Sequence, residues 1–219
     1  MEIYHFLKYN SDTIFNKLIE FRNNSITFCF DFEDSIQDIL NPINTPSLKT
    51  KYRKLSETII ENNHKFISDF AIGIRINPND SIEQRNDINC ILNLSKHTKI
   101  KSILLPKTET REDIENLKKL LNEKQIKYFE IIPVIETVTG LKNLNEIIDK
   151  RISNVYKIAF GHCDLNLSCH NFPFVHQDNK EYWEWISQIV LIISTKKILF
   201  LNSPYQKLND YSTFLVDNK

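Results

Sequence analysis

Glycine is nearly absent from this sequence. Only three of the 219 residues are glycine, whereas about 7% of an average protein is, or roughly fifteen residues at this length. All three, Gly73, Gly140 and Gly161, lie in short motifs that look like strand ends. Because glycine lets other atoms come close to the backbone, we expect a binding face beside these positions.

Long apolar runs and net charge are absent as well. The longest runs, near residues 131–135 and 189–193, fall far short of the ~20 residues that span a bilayer. Lysine plus arginine and aspartate plus glutamate both number 28, which removes the long-range attraction typical of nucleic-acid or anionic-membrane binding. We therefore expect no membrane segment and no nucleic-acid partner, but a small-molecule substrate.

Cysteine pairs are missing too. The four cysteines form no CxxC motif, and no signal peptide precedes the first predicted strand, which favours a reducing cytoplasm. The length fits one domain over residues 1–219 with a sizeable core. We expect a single-domain cytoplasmic protein.

Seven apolar runs rich in Ile, Val and Phe alternate with amphipathic charged stretches, a pattern typical of parallel strands between helices. The predicted strands are Ile3–Lys8, Ile26–Phe32, Ala71–Ile76, Ser102–Pro106, Phe129–Ile135, Tyr156–Phe160 and Ile198–Leu201. The clearest helix runs from Thr110 to Lys124 and opens with a capping box of Thr110 and Asp113. The KYRK stretch at 51–54 is expected to be a solvated helix face.

Polar residues follow at least five successive strands, as expected of the loops around one barrel mouth, whereas an open sheet collects ligands at a switch point. The sequence therefore predicts an α/β fold of the TIM-type (β/α)8 barrel class. Eight units need about 250 residues, so we expect an incomplete barrel of about seven units. The open edge between its first and last strands would need cover, which favours a homo-oligomer.

The second and third predicted strands end in charged residues. Asp31, Glu33 and Asp34 follow the second strand, either as acids of a pocket or as a charge cluster at a helix start. Arg75 and Asn77 alternate with apolar neighbours, so they face one side of the third strand. A guanidinium there could grip a carboxylate and stabilise an enolate, and the alternative is a surface salt bridge.

A second polar group follows the next three strands. Lys107 and Glu109 come after the fourth strand, as site residues or as a pair that neutralises itself. Glu136 ends the fifth strand and Asp164 follows the sixth, so these carboxylates could meet across one Mg²⁺ or Mn²⁺ ion. Zinc is disfavoured because the nearby histidines and cysteines match no common zinc spacing.

Taken in this order, the motifs resemble the HpcH/HpaI aldolase/citrate lyase family of (β/α)8 lyases, which includes the citrate lyase beta subunit. FDFEDSIQD is similar to that family's D-x-E-D segment, IRINP to its arginine strand and LLPKTET to its P-K-x-E-[ST] segment. PVIETVTGL is similar to its I-E-T-x-x-G segment and AFGHCDL to its F-G-x-x-D-L segment. The resemblance covers about residues 3–205 and identifies the chain as a C-terminally shortened member.

The resemblance implies a metal-dependent carbon–carbon lyase. Such an enzyme cleaves a 3-hydroxyacyl thioester, for example citryl- or malyl-CoA, to an acetyl thioester and a 2-oxo acid through an enolate. The implied Mg²⁺ or Mn²⁺ ligands are Glu136 and Asp164. The implied catalytic residues are Arg75, Asp34, Glu33 and Lys107, and the implied substrate-binding residues are Arg75, Asn77, Glu109 and Gly161.

Three departures from the family pattern leave alternatives open. The family's P-G-x-R-type loop, which helps to bind CoA, is replaced by FLKYNSDT, and Cys163 stands where the family often has glutamate. The final strand and the C-terminal helices are also missing from the pattern. The alternatives are a pyruvate-type aldolase that acts on hydroxylated 2-oxo acids, and a non-catalytic barrel that binds a ligand or serves in a complex.

Overall fold

The computed structural model describes residues 2–7, 16, 20, 26–68, 70–149, 152 and 154–204. The chain divides into two compact units. The first unit comprises Met1–Pro106 and Glu115–Ile131, and the second comprises Lys107–Ile114 and Ile132–Lys219. The single domain expected over residues 1–219 and the homo-oligomer both stay predictions.

The strands lie where the apolar runs predict them. They are β1 (Ile3–Leu7), β2 (Ile26–Asp31), β3 (Ala71–Arg75), β4 (Ile100–Leu105), β5 (Tyr128–Ile135), β6 (Lys157–Phe160) and β7 (Leu199–Leu201). Each predicted strand is confirmed, with ends within about two residues of the expected ones. Lys8, the expected end of the first strand, and the chain from Tyr205 onward lie outside the described residues.

The strand pairs within each unit are parallel. In the first unit β1 pairs with β2, β2 with β3 and β3 with β4, and in the second unit β5 pairs with β6 and β6 with β7. The strand order among the described residues is the sequence order, from β1 to β7. A doubly wound sheet would reverse its order at a switch point. The structure therefore confirms an α/β barrel-type fold with seven strands rather than eight in its described part.

Helices follow most of the strands. They are α1 (Thr45–Asn62), α2 (His64–Ile67), α3 (Ile82–Leu94), α4 (Arg111–Glu123), α5 (Val138–Lys142), α6 (Leu144–Ile147), α7 (His162–Ser168) and α8 (Lys180–Ser194). The predicted capping box at α4 is confirmed, because Asp113 N donates to Thr110 Oγ1 at 3.3 Å and Thr110 N donates to Asp113 Oδ2 at 2.8 Å. Within the described ranges, no helix combines the length and the apolar content needed to cross a membrane.

The strand interiors are buried, which is typical of parallel strands covered on both faces. Phe28, Cys29 and Phe30 of β2 and Ile72 and Ile74 of β3 have no exposed surface. The polar side chains of interest come at or just after the carboxyl ends of the strands. The buried sheet thus fixes the backbone from which each of these side chains projects.

Candidate active site

In the first unit, Arg75 and Asp31 form a two-pronged ion pair. The parallel register pairs Asp31, the last residue of β2, directly with Arg75, the last residue of β3. Arg75 Nε donates to Asp31 Oδ1 at 2.8 Å, and Nη2 donates to Oδ2 at 2.5 Å. Asp31 is only 2% exposed. This fork-to-fork geometry is the strongest form of arginine–carboxylate pairing, so the guanidinium is held in one orientation.

Glu33 and Asp34 lie on the remaining side of that guanidinium. Arg75 Nη1 is 3.3 Å from Glu33 Oε2 and 3.9 Å from Asp34 Oδ2, and Glu33 N donates to Asp31 Oδ1 at 3.1 Å. Burial by itself would lower the pKa of Arg75, but the hydrogen bonds to Asp31 and the charges of Glu33 and Asp34 raise it above its ordinary value. The structure thus brings two of the predicted catalytic residues, Glu33 and Asp34, beside a third, the permanently charged Arg75.

Asn77 is buried two residues beyond Arg75. Its Nδ2 donates to Phe32 O and to Asp87 Oδ2, both at 2.8 Å, its backbone N donates to the same Asp87 oxygen at 2.7 Å, and its Oδ1 accepts from Lys49 Nζ. The amide is therefore used within the first unit, where it fixes the turn after β3. The substrate-binding role expected of Asn77 stays a prediction.

An ionic network that the sequence pattern does not predict lies behind Asn77. Arg53 on α1 donates from Nε to Asp87 Oδ1 on α3 at 2.7 Å and also pairs with Glu83. Burial raises the pKa of Asp87 to about 6, although hydrogen bonds from Asn77 and the Arg53 charge oppose the rise.

The interpretation of residues 51–54 as a solvated helix face is wrong at its centre, since Tyr52 is 0% and Arg53 6% exposed. The charged residues of this stretch predict a solvated face, but on α1 Arg53 is buried against its acidic partners Glu83 and Asp87.

In the second unit, Glu136 is buried at the end of β5, with 3% of its surface exposed. Its Oε1 accepts a 2.8 Å hydrogen bond from Lys107 N. A side chain at Gly161 would clash with the Glu136 carboxyl group, and one at Gly140 would clash with Thr108 O. The atoms that lie closest to these two glycines therefore belong to the protein and not to a ligand. Gly161 leaves room for the Glu136 side chain.

Asp164 lies in the first turn of α7 and faces the same lysine. Lys107 Nζ is 3.6 Å from Asp164 Oδ2. That oxygen is buried and accepts no hydrogen bond from any described residue. Glu109 is fixed through its backbone, since its N donates to Asp113 Oδ2 at 2.9 Å and its O accepts from Asn143 Nδ2 at 2.9 Å.

The donor set of Glu136 and Asp164 fits a hard divalent cation. Both supply carboxylate oxygens, which Mg²⁺ takes one or two at a time with waters and substrate oxygens, and no described residue donates a competing hydrogen bond to Asp164 Oδ2. Across the described ranges, no group of three or more His, Cys, Asp or Glu side chains is arranged to hold a metal. His162 Nε2 instead lies 3.2 Å from His176 Nδ1, and burial followed by the His176 charge lowers the pKa of His162 to about 4.

The comparison with known families identifies the class of protein. The sequence model of the HpcH/HpaI aldolase/citrate lyase family matches residues 8–219, so the chain belongs to this family, as its motif order predicts. Membership supports an aldolase- or lyase-type function. No curated protein sequence matches the chain.

Solved structures share the fold at low sequence identity. RipC from Yersinia pestis is 16% identical with a TM-score of 0.69, covering 99% of this chain and 82% of its own. The citrate lyase beta subunit from M. tuberculosis, solved with oxaloacetate and magnesium, is 16% identical with a TM-score of 0.68, covering 98% and 83%. A citrate lyase from Burkholderia xenovorans LB400 is 16% identical with a TM-score of 0.77, covering 99% and 67%. At this identity the likeness shows the fold.

Proposed function

We propose that the chain is a metal-dependent carbon–carbon lyase that cleaves a 3-hydroxyacyl thioester, such as citryl- or malyl-CoA, to an acetyl thioester and a 2-oxo acid. The observation that carries the proposal is the pair of carboxylates Glu136 and Asp164, which Lys107 links within the second unit. The oxaloacetate and magnesium of the M. tuberculosis citrate lyase beta subunit support the same ligand chemistry here.

Glu136 and Asp164 are the proposed ligands of Mg²⁺ or Mn²⁺. The bound ion supplies positive charge beside the oxygen on which the enolate charge develops. Glu136 is held in place by the Lys107 backbone and by its close packing on Gly161. Asp164 contributes an oxygen that accepts no hydrogen bond from the described part of the chain, so its use as a ligand would break its contact with the lysine ammonium.

Lys107 is the proposed cation that exchanges between Asp164 and the substrate. Its side chain is 42% exposed, and its 3.6 Å contact with Asp164 is too long for a tight hydrogen bond. A long, partly exposed pair of this kind is worth about 1 kcal/mol or less, so the ammonium can leave Asp164 and bind a substrate carboxylate at little cost. Glu109 and Gly161 are proposed to line the substrate beside it.

Arg75, Asp34 and Glu33 are the proposed residues of anion recognition and proton transfer. Arg75 binds a carboxylate or thioester oxygen of the substrate while Asp31 keeps its guanidinium oriented. In the cleavage, a carboxylate of Asp34 or Glu33 takes the proton of the 3-hydroxyl group. The carbon–carbon bond then breaks to give the 2-oxo acid and an enolate, and the proton is returned to the enolate carbon. Asn77 positions the strand end that carries Arg75.

A second candidate is a pyruvate-type aldolase that acts on hydroxylated 2-oxo acids. The observation that favours it is the sequence FLKYNSDT at the end of the first strand, which stands in place of the P-G-x-R-type loop that the family resemblance implies. A lysine point charge cannot replace the bidentate recognition of phosphate by arginine. The same carboxylates and the same arginine would serve this reaction without a CoA groove.

Thermal unfolding with Mg²⁺ alone, and with Mg²⁺ plus oxaloacetate, pyruvate or acetyl-CoA, tests these proposals. A ligand that binds the native state raises the thermal midpoint because it stabilises the folded protein by mass action. At a ligand concentration a hundred times the dissociation constant, the free energy of unfolding rises by ~2.7 kcal/mol. We expect a Mg²⁺-dependent rise that acetyl-CoA and oxaloacetate enlarge. A rise enlarged by pyruvate alone would select the aldolase.

Matched variants test whether Glu136 and Asp164 cause the Mg²⁺-dependent rise in the thermal midpoint. Glu136→Gln and Asp164→Asn keep the shape of each side chain and remove its charge, and both should abolish the Mg²⁺ response. Glu112→Gln, which alters an exposed carboxylate on α4, should keep it. If all three variants respond like the wild type, the metal site is elsewhere. If no ligand shifts the wild type, the chain is a non-catalytic member of the family.

A further inference from the structure

A cavity of about 590 Å³ opens in the first unit at the amino ends of β4 and β5. The loop before β4 contributes Thr98 and Lys99 to its lining, and the chain entering β5 contributes Lys127, Tyr128 and Phe129. Arg75 and its acidic partners follow the opposite, carboxyl ends of strands in the same unit. The cavity is therefore separate from the site built around that arginine.

One lining residue carries an unsatisfied polar atom. Thr98 is 8% exposed, and its Oγ1 is buried without a hydrogen-bond partner in the described part of the chain. Native proteins satisfy the large majority of buried hydroxyl groups because an unsatisfied one destabilises the fold. A hydroxyl left in this state on a cavity wall is suited to hydrogen-bond a ligand.

The charges at this cavity have one sign. Lys99 and Lys127 are exposed, and neither forms an ion pair with any residue in the described ranges. Lys101, also in the lining, differs because its Nζ donates to Thr27 Oγ1 at 3.1 Å and lies 3.6 Å from Glu2. Phe129, 56% exposed, adds an aromatic surface. The lining thus combines free positive charge with an apolar wall.

We propose that this cavity binds a small amphipathic anion, with its carboxylate or phosphate group between Lys99 and Lys127 and its aromatic or aliphatic body against Phe129. Thr98 donates a hydrogen bond to the same ligand. The volume lies within the ~300–1,000 Å³ of typical small-molecule sites. This site is independent of Glu136 and Asp164 and of the proposed lyase reaction.

The test uses the fluorescent probe anilinonaphthalene sulfonate, an aromatic anion, with benzoate, phenyl phosphate and benzylamine as competitors. We expect saturable binding that the two anions displace and the cation does not. The more effective of benzoate and phenyl phosphate identifies the preferred head group. Binding that does not saturate, or that benzylamine displaces equally well, overturns the proposal.

Charge reversal locates the probe. The double variant Lys99→Glu/Lys127→Glu should bind the probe roughly tenfold more weakly or worse, because two charge-assisted contacts are lost. The matched control Lys54→Glu/Lys119→Glu reverses two exposed lysines of the same unit outside the cavity. Equal affinity in the two double variants would place the probe elsewhere and overturn the proposal.

Thr98→Val separates a ligand-binding hydroxyl from a structural one. Valine keeps the shape and removes the oxygen, so we expect several-fold weaker probe binding, while the thermal midpoint of the free protein stays the same or rises. A lower midpoint with unchanged probe affinity would show that the hydroxyl serves the fold, and would remove Thr98 from the site.

Discussion

The backbone N–H of Lys107 donates a 2.8 Å hydrogen bond to Oε1 of Glu136. The same lysine reaches Asp164 through its ammonium group, so one residue contacts both proposed metal ligands. Lys107 has a φ of 49°, in the left-handed region that is unfavourable by ~1–2 kcal/mol for residues other than glycine. Backbone strain of this kind clusters at functional sites, and here it aims one N–H at a buried carboxylate.

Replacing Lys107 with methionine should tighten Mg²⁺ binding. The ammonium competes with a cation for Asp164 Oδ2, and methionine keeps the apolar chain and the backbone hydrogen bond to Glu136. A long, partly exposed pair contributes ~0.2–1 kcal/mol, so we expect roughly a two- to fivefold lower dissociation constant by calorimetric titration. Lyase turnover should fall, because the substrate loses a cation.

The control is Lys119→Met, on the exposed surface of α4, which should leave Mg²⁺ affinity unchanged. Weaker Mg²⁺ binding in Lys107→Met would mean that the lysine supports the metal site rather than competing with it.

Gly161→Ala should destabilise the second unit and disturb Glu136. The added methyl group would clash with the Glu136 carboxyl group, and overpacking of this kind costs ~1–3 kcal/mol. Urea unfolding measures the loss, and Mg²⁺ titration should show a weaker site.

A double-mutant cycle with Glu136→Ala tests the cause of that loss. Once the carboxyl group is removed, the alanine at 161 should cost less than in the wild type, since residues in contact are not additive. Simple additivity of the two costs would show that the glycine is needed for another reason.

The strands and the family follow from the sequence because they depend on local patterns. The strands appear as apolar runs between charged stretches, and the capping box joins Thr110 and Asp113 only three residues apart. The order of five short motifs suffices to identify the family. Each of these signals lies within a few residues of chain.

Partners distant in sequence could not be predicted in the same way. The fork between Arg75 and Asp31 depends on strand register, and the burial of Arg53 depends on how α1 meets α3. That the Thr98 hydroxyl has no hydrogen-bond partner among the described residues depends on the folded arrangement and leaves no mark in the sequence. The sequence does show that Asp31 ends an apolar run and comes just before Glu33 and Asp34. That position predicts that Asp31 lies at a strand end, but it does not predict its pairing with Arg75.

Asp87→Asn should remove a pH dependence of stability. The pKa of Asp87 is about 6 in the fold and ~3.9 in an unfolded chain. A group whose pKa is raised on folding stabilises the protein below the unfolded value, and this contribution is lost as pH rises through the folded value. Wild-type stability relative to Asp87→Asn should therefore fall between pH ~4 and ~6, by on the order of 3 kcal/mol at about 1.4 kcal/mol per pKa unit.

Urea unfolding at several pH values measures this difference. Arg53, Glu83 and Lys49 belong to the same network and are present in both proteins, so the two proteins differ only at residue 87. Asp80→Asn is the control, because it alters an exposed aspartate whose positive φ of 61° asparagine tolerates. A constant difference between wild type and Asp87→Asn across the range would contradict the raised pKa.

Arg75→Lys should weaken the fold and the binding of the oxo acid together. Lysine keeps the positive charge but cannot make both hydrogen bonds to Asp31, which is buried. A lost hydrogen bond to a buried charged group costs ~1.5–3 kcal/mol, so we expect the free energy of unfolding in urea to fall by about that amount. Arg85→Lys, on the exposed face of α3, should be nearly neutral.

Activity assays on Arg75→Lys distinguish recognition from support of the fold. If Arg75 contacts the substrate carboxylate, KM for the thioester should rise at temperatures where the variant remains folded, because a point charge replaces a planar fork. Asp31→Asn provides the comparison, since it loosens the arginine without removing it and should raise KM less. A variant that is destabilised but has a wild-type KM would show that Arg75 stabilises the ends of β2 and β3 and does not bind the substrate.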